Sequence, residues 1–273
     1  MSDIVVFSPS RFSLYTISVT ELLVRSGVRV KAIFVRKLFN PNRFLFEFSR
    51  DGERLIGKLW KKLILRDKVY KTVQYETIVD LMKKENILFR RVDDFKTQYG
   101  LPVVYCNDLN DPIVVASLRE IKPDIAVFTG GGLIRKDVLE SCGAGILNCH
   151  AGVLPQYRGM DVVEWPILEN NPHETGMTVH FMDKGVDTGD ILRVKRVGIE
   201  PGESTKQVRD RFEPLMCREM VTTCLDTLSG KLERIPQKPK DGKQYFVMHP
   251  RLARLVEAKL SQVENISPGI TVN

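Results

Sequence analysis

Cysteine is sparse and unpatterned in this chain of 273 residues: five, at positions 106, 142, 149, 217 and 224, with no CxxC pair. An odd, scattered set excludes a disulfide framework and offers no zinc-ligand spacing, so free thiols in a reducing cytoplasm are expected and no metal site is. Long apolar runs are missing as well. The opening MSDIVVFSPS has neither the basic start nor the sustained apolar run of a signal peptide, and nothing approaches the length of a membrane span. Neither G-x-G-x-x-G nor a Walker pattern occurs, which removes the common nucleotide fingerprints. There is no internal repeat and no low-complexity tract. What remains is 43% hydrophobic and 27% charged, the balance of a soluble globular protein. Its net charge of +7 favours anionic partners such as phosphates, without choosing among them.

Apolar runs and helical patterns alternate along the chain. Strands are predicted at 4–7, 28–35, 103–105, 124–128 and 145–148, with helices at 14–25, at 112–120 and from the Thr129-Gly130-Gly131-Gly132 turn to about Glu140. This is the β-α-β cadence of an α/β fold: a Rossmann-like, open, mostly parallel sheet with helices on both faces. Two further strands, 175–182 and 191–197, flank the loop Gly185-Val186-Asp187-Thr188-Gly189-Asp190. Ser204-Thr205-Lys206-Gln207 has capping-box spacing for a long helix ending at Gly230. Residues 1–230 are therefore read as one domain with a basic, helical insertion at about 38–95. Residues 231–273 are read as a short C-terminal extension that loosens after about Lys259. Within the insertion, Leu55, Ile56, Leu59, Trp60, Leu63 and Ile64 fit one helical face, which favours a packed helix with solvated lysines over a membrane or nucleic-acid surface.

Chemistry concentrates in residues 148–190. Asn148, His150 and Asp187 supply an amide, an imidazole and a carboxylate, a set that stabilises an oxyanion and moves a proton. In open α/β sheets ligands bind beyond the carboxyl ends of the strands, and Asn148 and His150 stand just after one such run. The Gly130–Gly132 turn lies on the same edge, where a glycine backbone approaches a flat hydrogen-bonding ring closely. Each residue also has a plainer reading. Asp187 and Asp190 lie in a turn that Asp often shapes, Cys149 suits a small buried filler, and Arg158 serves equally to pin its loop. His173 and His249 read as surface residues.

The run N-x-H-x-G-x-L-P-x-x-R-G, followed by T-G-M-T-V-H-F-M-D-K-G-V-D-T-G-D, resembles the folate-dependent formyltransferase family, which includes glycinamide ribonucleotide, methionyl-tRNA and sugar N-formyltransferases. The resemblance covers roughly residues 1–230. It implies that Asn148, His150 and Asp187 are catalytic and that 10-formyltetrahydrofolate is the formyl donor. It places that donor against Gly130, Gly131, Gly132, Leu133 and Ile134 on one side and Gly185 and Val186 on the other. His180 matches a family histidine in a supporting role. Where the family usually has Ser, this chain has Gly152.

The acceptor implied is a primary amine, small and anionic. The loop Ser8-Pro9-Ser10-Arg11-Phe12-Ser13 lacks the glycines of the ribonucleotide enzymes, and only some forty residues follow Gly230 where the tRNA enzymes carry a further domain. Pro236-Gln237-Lys238-Pro239 with Tyr245-Phe246 is similar to the short extension of some sugar N-formyltransferases. An amino sugar on a nucleotide diphosphate is the leading expectation, with Ser10, Arg11, Arg158 and His180 as substrate contacts. Methionyl-tRNA or glycinamide ribonucleotide as acceptor, hydrolysis of the formyl donor, and a non-catalytic folate-binding protein are the alternatives. Nucleic acid and membrane are disfavoured as partners, and a homodimer stays open.

Overall fold

Short runs such as Ile4-Val5-Val6-Phe7, apolar on both sides of the pleat, demand cover on both faces of a sheet. In the computed structural model, which describes residues 2–37 and 75–262, all four side chains are fully buried. The central sheet holds β1 (Asp3–Ser8), β2 (Arg29–Arg36), β3 (Val103–Cys106), β4 (Ile125–Phe128), β5 (Ile146–His150), β7 (Gly176–Phe181) and β8 (Ile191–Arg196). Their spatial order is β3-β2-β1-β4-β5-β7-β8. The first five run parallel, and β7 and β8 are antiparallel to their neighbours. This is the Rossmann-like α/β sheet read from the cadence of the sequence.

Period-two alternation sorts the core into two layers. Ile4 and Val6 join Ile17 and Leu23 of α1 (Leu14–Arg25) and Phe212 and Met220 of α7 (Thr205–Leu228) on one face. Val5 and Phe7 join Val114 and Leu118 of α4 (Pro112–Ile121) and Val138 of α5 (Lys136–Leu139) on the other. The helix boundaries follow from local chemistry. Ser13 caps α1 by accepting from Thr16 N at 3.2 Å, and α7 opens with the expected reciprocal Ser204–Gln207 box. α7 runs on through Pro214, whose ring removes one donor from the helix interior.

The order of the strands sets where a ligand can enter. After β3 the chain returns to the middle of the sheet, so β4 pairs with β1 on the side opposite β2. The loops leaving β1 and β4 therefore part, and a crevice opens at their carboxyl ends. Three buried hydroxyls brace its base: Ser8 Oγ lies 2.9 Å from Thr16 Oγ1, which lies 2.7 Å from Thr129 Oγ1. Thr129 in turn donates to the Phe7 carbonyl at 2.7 Å.

Several expectations needed adjusting. β5 runs through His150, so Asn148 and His150 belong to the strand's last residues rather than to the loop beyond it. The helix after the glycine turn is only Lys136–Leu139, because Gly130, Gly131 and Gly132 all take positive φ and hold the chain out of a helix. The C-terminal segment is more ordered than its composition implies. It supplies β9 (Lys243–Tyr245), paired in parallel with β6 (Tyr157–Gly159), and α8 (Pro250–Leu260), which buries Val256 and Leu260. Residues 38–74, including the basic segment read as a packed helix, lie outside the described residues. Residues 75–99 contribute α2 (Ile78–Lys84) and α3 (Asp94–Tyr99), and α6 (Glu164–Leu168) follows β6. No helix among the described residues is long and apolar enough to cross a membrane.

Candidate active site

Asn148 and His150 are two apart on β5, so they share a face of the sheet while Leu147 and Cys149 turn to the α1/α7 core. Antiparallel pairing sets Asn148 directly opposite His180 on β7. The contact is direct: Asn148 Nδ2 lies 3.2 Å from His180 Nε2. His180 is fully buried and gives its Nδ1–H to the Phe181 carbonyl at 2.8 Å, which turns Nε2 toward the amide. The ring thus fixes the amide's direction.

Asp187 arrives from the loop between β7 and β8, at a φ of +54° that is unusual for a residue with a side chain. Its Oδ2 lies 3.4 Å from His150 Nδ1 and its Oδ1 lies 3.5 Å from His180 Nε2. Oδ2 also accepts from Gly159 N at 2.9 Å. Asp187, some forty residues further along the sequence, therefore reaches His150 directly and Asn148 through His180.

Burial and charge oppose each other here. Burial pushes the His150 imidazole below its ordinary value, against the pull of the Asp187 carboxylate and the Tyr157 carbonyl. Burial works to raise Asp187, but contact with His180, the charge of His150 and the Gly159 N–H together bring it below the usual carboxylate range. His150 Nε2 is 2.8 Å from the Tyr157 carbonyl, so its two nitrogens face two acceptors. A neutral ring carries one N–H and satisfies one of them. A proton gained by the ring would be held by both, which equips His150 to collect a proton in passing. Gly152 accounts for its own departure from the family pattern: a Cβ there would sit 2.8 Å from both His150 Nε2 and the Tyr157 carbonyl.

Two clefts open on either side of the glycine turn. The first, about 480 Å³, is lined by Leu133, Ile134, Met182, Gly185 and Val186 together with Asp108 and Asn110. Its wall is pinned by Asn110, which donates to the Leu133 carbonyl at 2.8 Å and accepts from Arg135 N at 2.6 Å. Leu133 stands 77% exposed, an apolar side chain projecting into this cleft with little cover. Gly131 and Gly132 shape the turn rather than line the cleft. A Cβ on Gly131 would meet Leu109 at 2.5 Å, and one on Gly132 would meet Arg36 at 2.9 Å.

The second cleft, about 370 Å³, lies in the β1/β4 crevice and is lined by Pro9, Ser13, Tyr15, Gly130, Asn148 and Glu213. Burial, then the charge of Asp210, raises the Glu213 carboxyl above its ordinary value. Burial likewise pushes the Tyr15 phenol well up. Tyr15 and Glu213 escaped the sequence reading. The one available signal was Pro214, which marks an irregular point of α7 beside the cleft.

Other residues singled out from sequence stand elsewhere. Arg11 pairs with Asp93 at 3.0 Å, and Ser10 Oγ accepts from Phe12 N at 3.3 Å. Arg158 is buried, with Nε and Nη2 donating to Gln237 Oε1 at 3.2 and 3.0 Å and Nη2 to the Lys238 carbonyl at 3.1 Å. All five cysteines are free and buried. Burial raises Cys106 to about 11 and Cys142, Cys217 and Cys224 to about 12, and pushes Cys149 higher still, so none is a ready nucleophile.

The family model described as formyl transferase matches residues 72–223. A methionyl-tRNA formyltransferase of Geobacter metallireducens is 34% identical over 179 residues, which are 64% of this chain and 56% of that protein. The chain spans about half the length of the curated relatives it matches. Among solved structures, an N-formyltransferase from Helicobacter canadensis aligns with a TM-score of 0.57 at 15% identity, over 90% of this chain and 71% of that one. Glycinamide ribonucleotide transformylase 1 from Symbiobacterium toebii aligns at 0.55 with 18% identity, over 89% and 92%. At such identities the structures speak for the fold alone, while the family model covers more than half of the chain and spans the site strand, the glycine turn and the Asp187 loop. The chain belongs to the formyl transferase family.

Proposed function

We propose that this protein transfers a formyl group from 10-formyltetrahydrofolate to a primary amine. The observation that carries the reading is that Asn148, His150 and Asp187 are linked through His180, with Asn148 lining one cleft and Asp187 next to Val186 of the other. The first cleft suits the donor. Apolar Leu133 and Ile134 on one side and Gly185 and Val186 on the other leave room for a pterin ring, with Asp108 and Asn110 beside them for its polar edge. The second suits the acceptor, because Asn148 forms part of its wall. A neutral amine entering there attacks the formyl carbon, and negative charge grows on the formyl oxygen. Asn148 holds one amide hydrogen toward His180 and has the other for that oxygen. His150 takes the amine's proton, steadied by Asp187, and returns one to the leaving nitrogen of the folate.

A cleft of some 370 Å³ takes a monosaccharide-sized amine, and Glu213 and Tyr15 would meet hydroxyl or amino groups of such a sugar. The net positive charge suits a nucleotide diphosphate carrier. The preferred acceptor is therefore an amino sugar on a nucleotide diphosphate. The Helicobacter canadensis enzyme was solved with folinic acid and dTDP-3-aminofucose, which sets the precedent for that pairing in this fold. Methionyl-tRNA is the second reading, favoured by the names of the relatives in sequence. Incubating the protein with 10-formyltetrahydrofolate and a panel of amines, and following tetrahydrofolate release, decides between them. Release with one aminosugar nucleotide supports the first reading, and release with methionyl-tRNA alone supports the second. Release without any amine would replace both with hydrolysis.

A further inference from the structure

The C-terminal segment holds the loop that delivers Asp187 in two ways: Ile235 pairs by backbone with Ile191 where the loop ends, and the Gln237 side chain reaches into the loop itself. We infer that Gln237 is a positioning residue for Asp187; this rests on the formyl-transfer reading of the site. Gln237 Nε2 donates to the Asp187 carbonyl at 3.1 Å and to the Gly189 carbonyl at 2.6 Å. Its Oε1 accepts from Arg158 Nε and Nη2 at 3.2 and 3.0 Å. Arg158 directly precedes Gly159, whose N–H donates to the Asp187 carboxylate. The bonds close a ring: Asp187 to Gly159, along the chain to Arg158, across to Gln237, and back to Asp187. One segment of the ring holds the carboxylate and another holds the backbone that carries it.

The chemistry admits little substitution. A guanidinium has donors only, so it dictates that the amide turns its oxygen toward Arg158 and its nitrogen toward the two carbonyls. A carboxylate at 237 would keep the Arg158 contact but set negative charge against those carbonyls. The loop is also tied within itself, because Asp183 Oδ1 accepts from Gly185 N at 3.0 Å and from Thr188 Oγ1 at 2.7 Å. Gln237 is the side chain that reaches the Asp187 and Gly189 carbonyls. The positive φ of Asp187 is a conformation that persists when its surroundings over-determine it, and this amide contributes to that together with the Gly159 N–H and the Thr188–Asp183 bond. Arg158 acquires a role different from the substrate contact expected of it: it aims Gln237.

The test compares Gln237→Glu and Gln237→Met with Tyr245→Phe in the full chain. Tyr245 docks the same C-terminal segment through its hydroxyl on Glu169, at 2.9 and 3.0 Å, away from the loop. Two quantities are read: hydrogen exchange of the amides in 185–190, and kcat and KM for formyl transfer. Both Gln237 variants are expected to exchange at least about tenfold faster in that loop. They should lose about 10- to 100-fold in kcat, since misplacement by about 1 Å costs on that order, with both KM values within about twofold. Tyr245→Phe should leave loop exchange and kcat as they are. Unchanged exchange and kcat in Gln237→Glu would overturn the inference, as would an equal loss in Tyr245→Phe, which would reduce Gln237 to general docking. If the wild type forms no formylated amine at all, the formyl-transfer reading fails, and loop exchange alone still decides whether Gln237 holds Asp187.

Discussion

The two clefts beside the glycine turn are built from different materials. The first is shaped by main chain: glycines at positive φ, the Leu133 carbonyl tied to Asn110, and a loop whose turn is set by Asp183. The second is shaped by side chains from distant elements, Ser13 and Tyr15 from the start of α1 and Glu213 from the middle of α7. A backbone-built cleft accepts one shape of ligand, and few substitutions re-aim it. A side-chain-built cleft is retuned by single substitutions. The difference suits a family that keeps its donor and exchanges its acceptor. Asn148 lines the second cleft, and Asp187 directly follows Gly185 and Val186 of the first.

The comparison can be broken at several points. The largest effect belongs to the shared residues: Asn148→Ala removes a donor to the developing oxyanion and should cost about 10²- to 10³-fold in kcat/KM, whichever amine is used. Glu213→Gln should raise the acceptor KM by about tenfold or more, as a charged hydrogen bond worth about 1.5–3 kcal/mol weakens, with the donor KM unchanged. Gly131→Ala should do the reverse. Its Cβ would collide with Leu109, so the donor KM should rise about tenfold with the acceptor KM left alone. If either substitution moves both KM values together, the clefts are one site and the comparison falls. The smallest effect is expected from Cys149→Ala, where kcat should hold within about twofold, because a thiol held protonated by burial takes no part.

A pH measurement sharpens the shared part. His150 sits below the ordinary imidazole value, so its neutral form dominates the folded protein at pH 7 and is lost as pH falls through the depressed value. NMR titration of the ring should therefore give a midpoint below about 6.5. Asp187→Asn removes the attraction that opposes burial, so the midpoint should fall further. A midpoint above 6.5 would mean that the carboxylate outweighs burial.

The shared residues and the scaffold were legible in the sequence for a physical reason. β1, β4 and β5 are buried on both faces and mostly apolar, so Asn148 and His150 at the end of β5 stand out, as does Asp187 in its glycine-bounded loop. The acceptor side was far less legible. Glu213 and Tyr15 sit on helices with ordinary helical spacing, where nothing local distinguishes a residue lining a cleft from one facing water. Arg158 shows the converse: a buried arginine looks like an anion site until the partner eighty residues on, at Gln237 and Lys238, is seen to occupy it. The C-terminal elements were missed because β9 is three residues long and gains its order from pairing with β6.

The most direct measurement follows an isotopically labelled formyl group from 10-formyltetrahydrofolate in a single turnover, with wild type and Asp187→Asn side by side. Labelled formamide on the amine acceptor with wild type, and none above background with a folded Asp187→Asn, is the predicted result. Label passing to formate with or without amine, or equal transfer by the two proteins, would contradict the account.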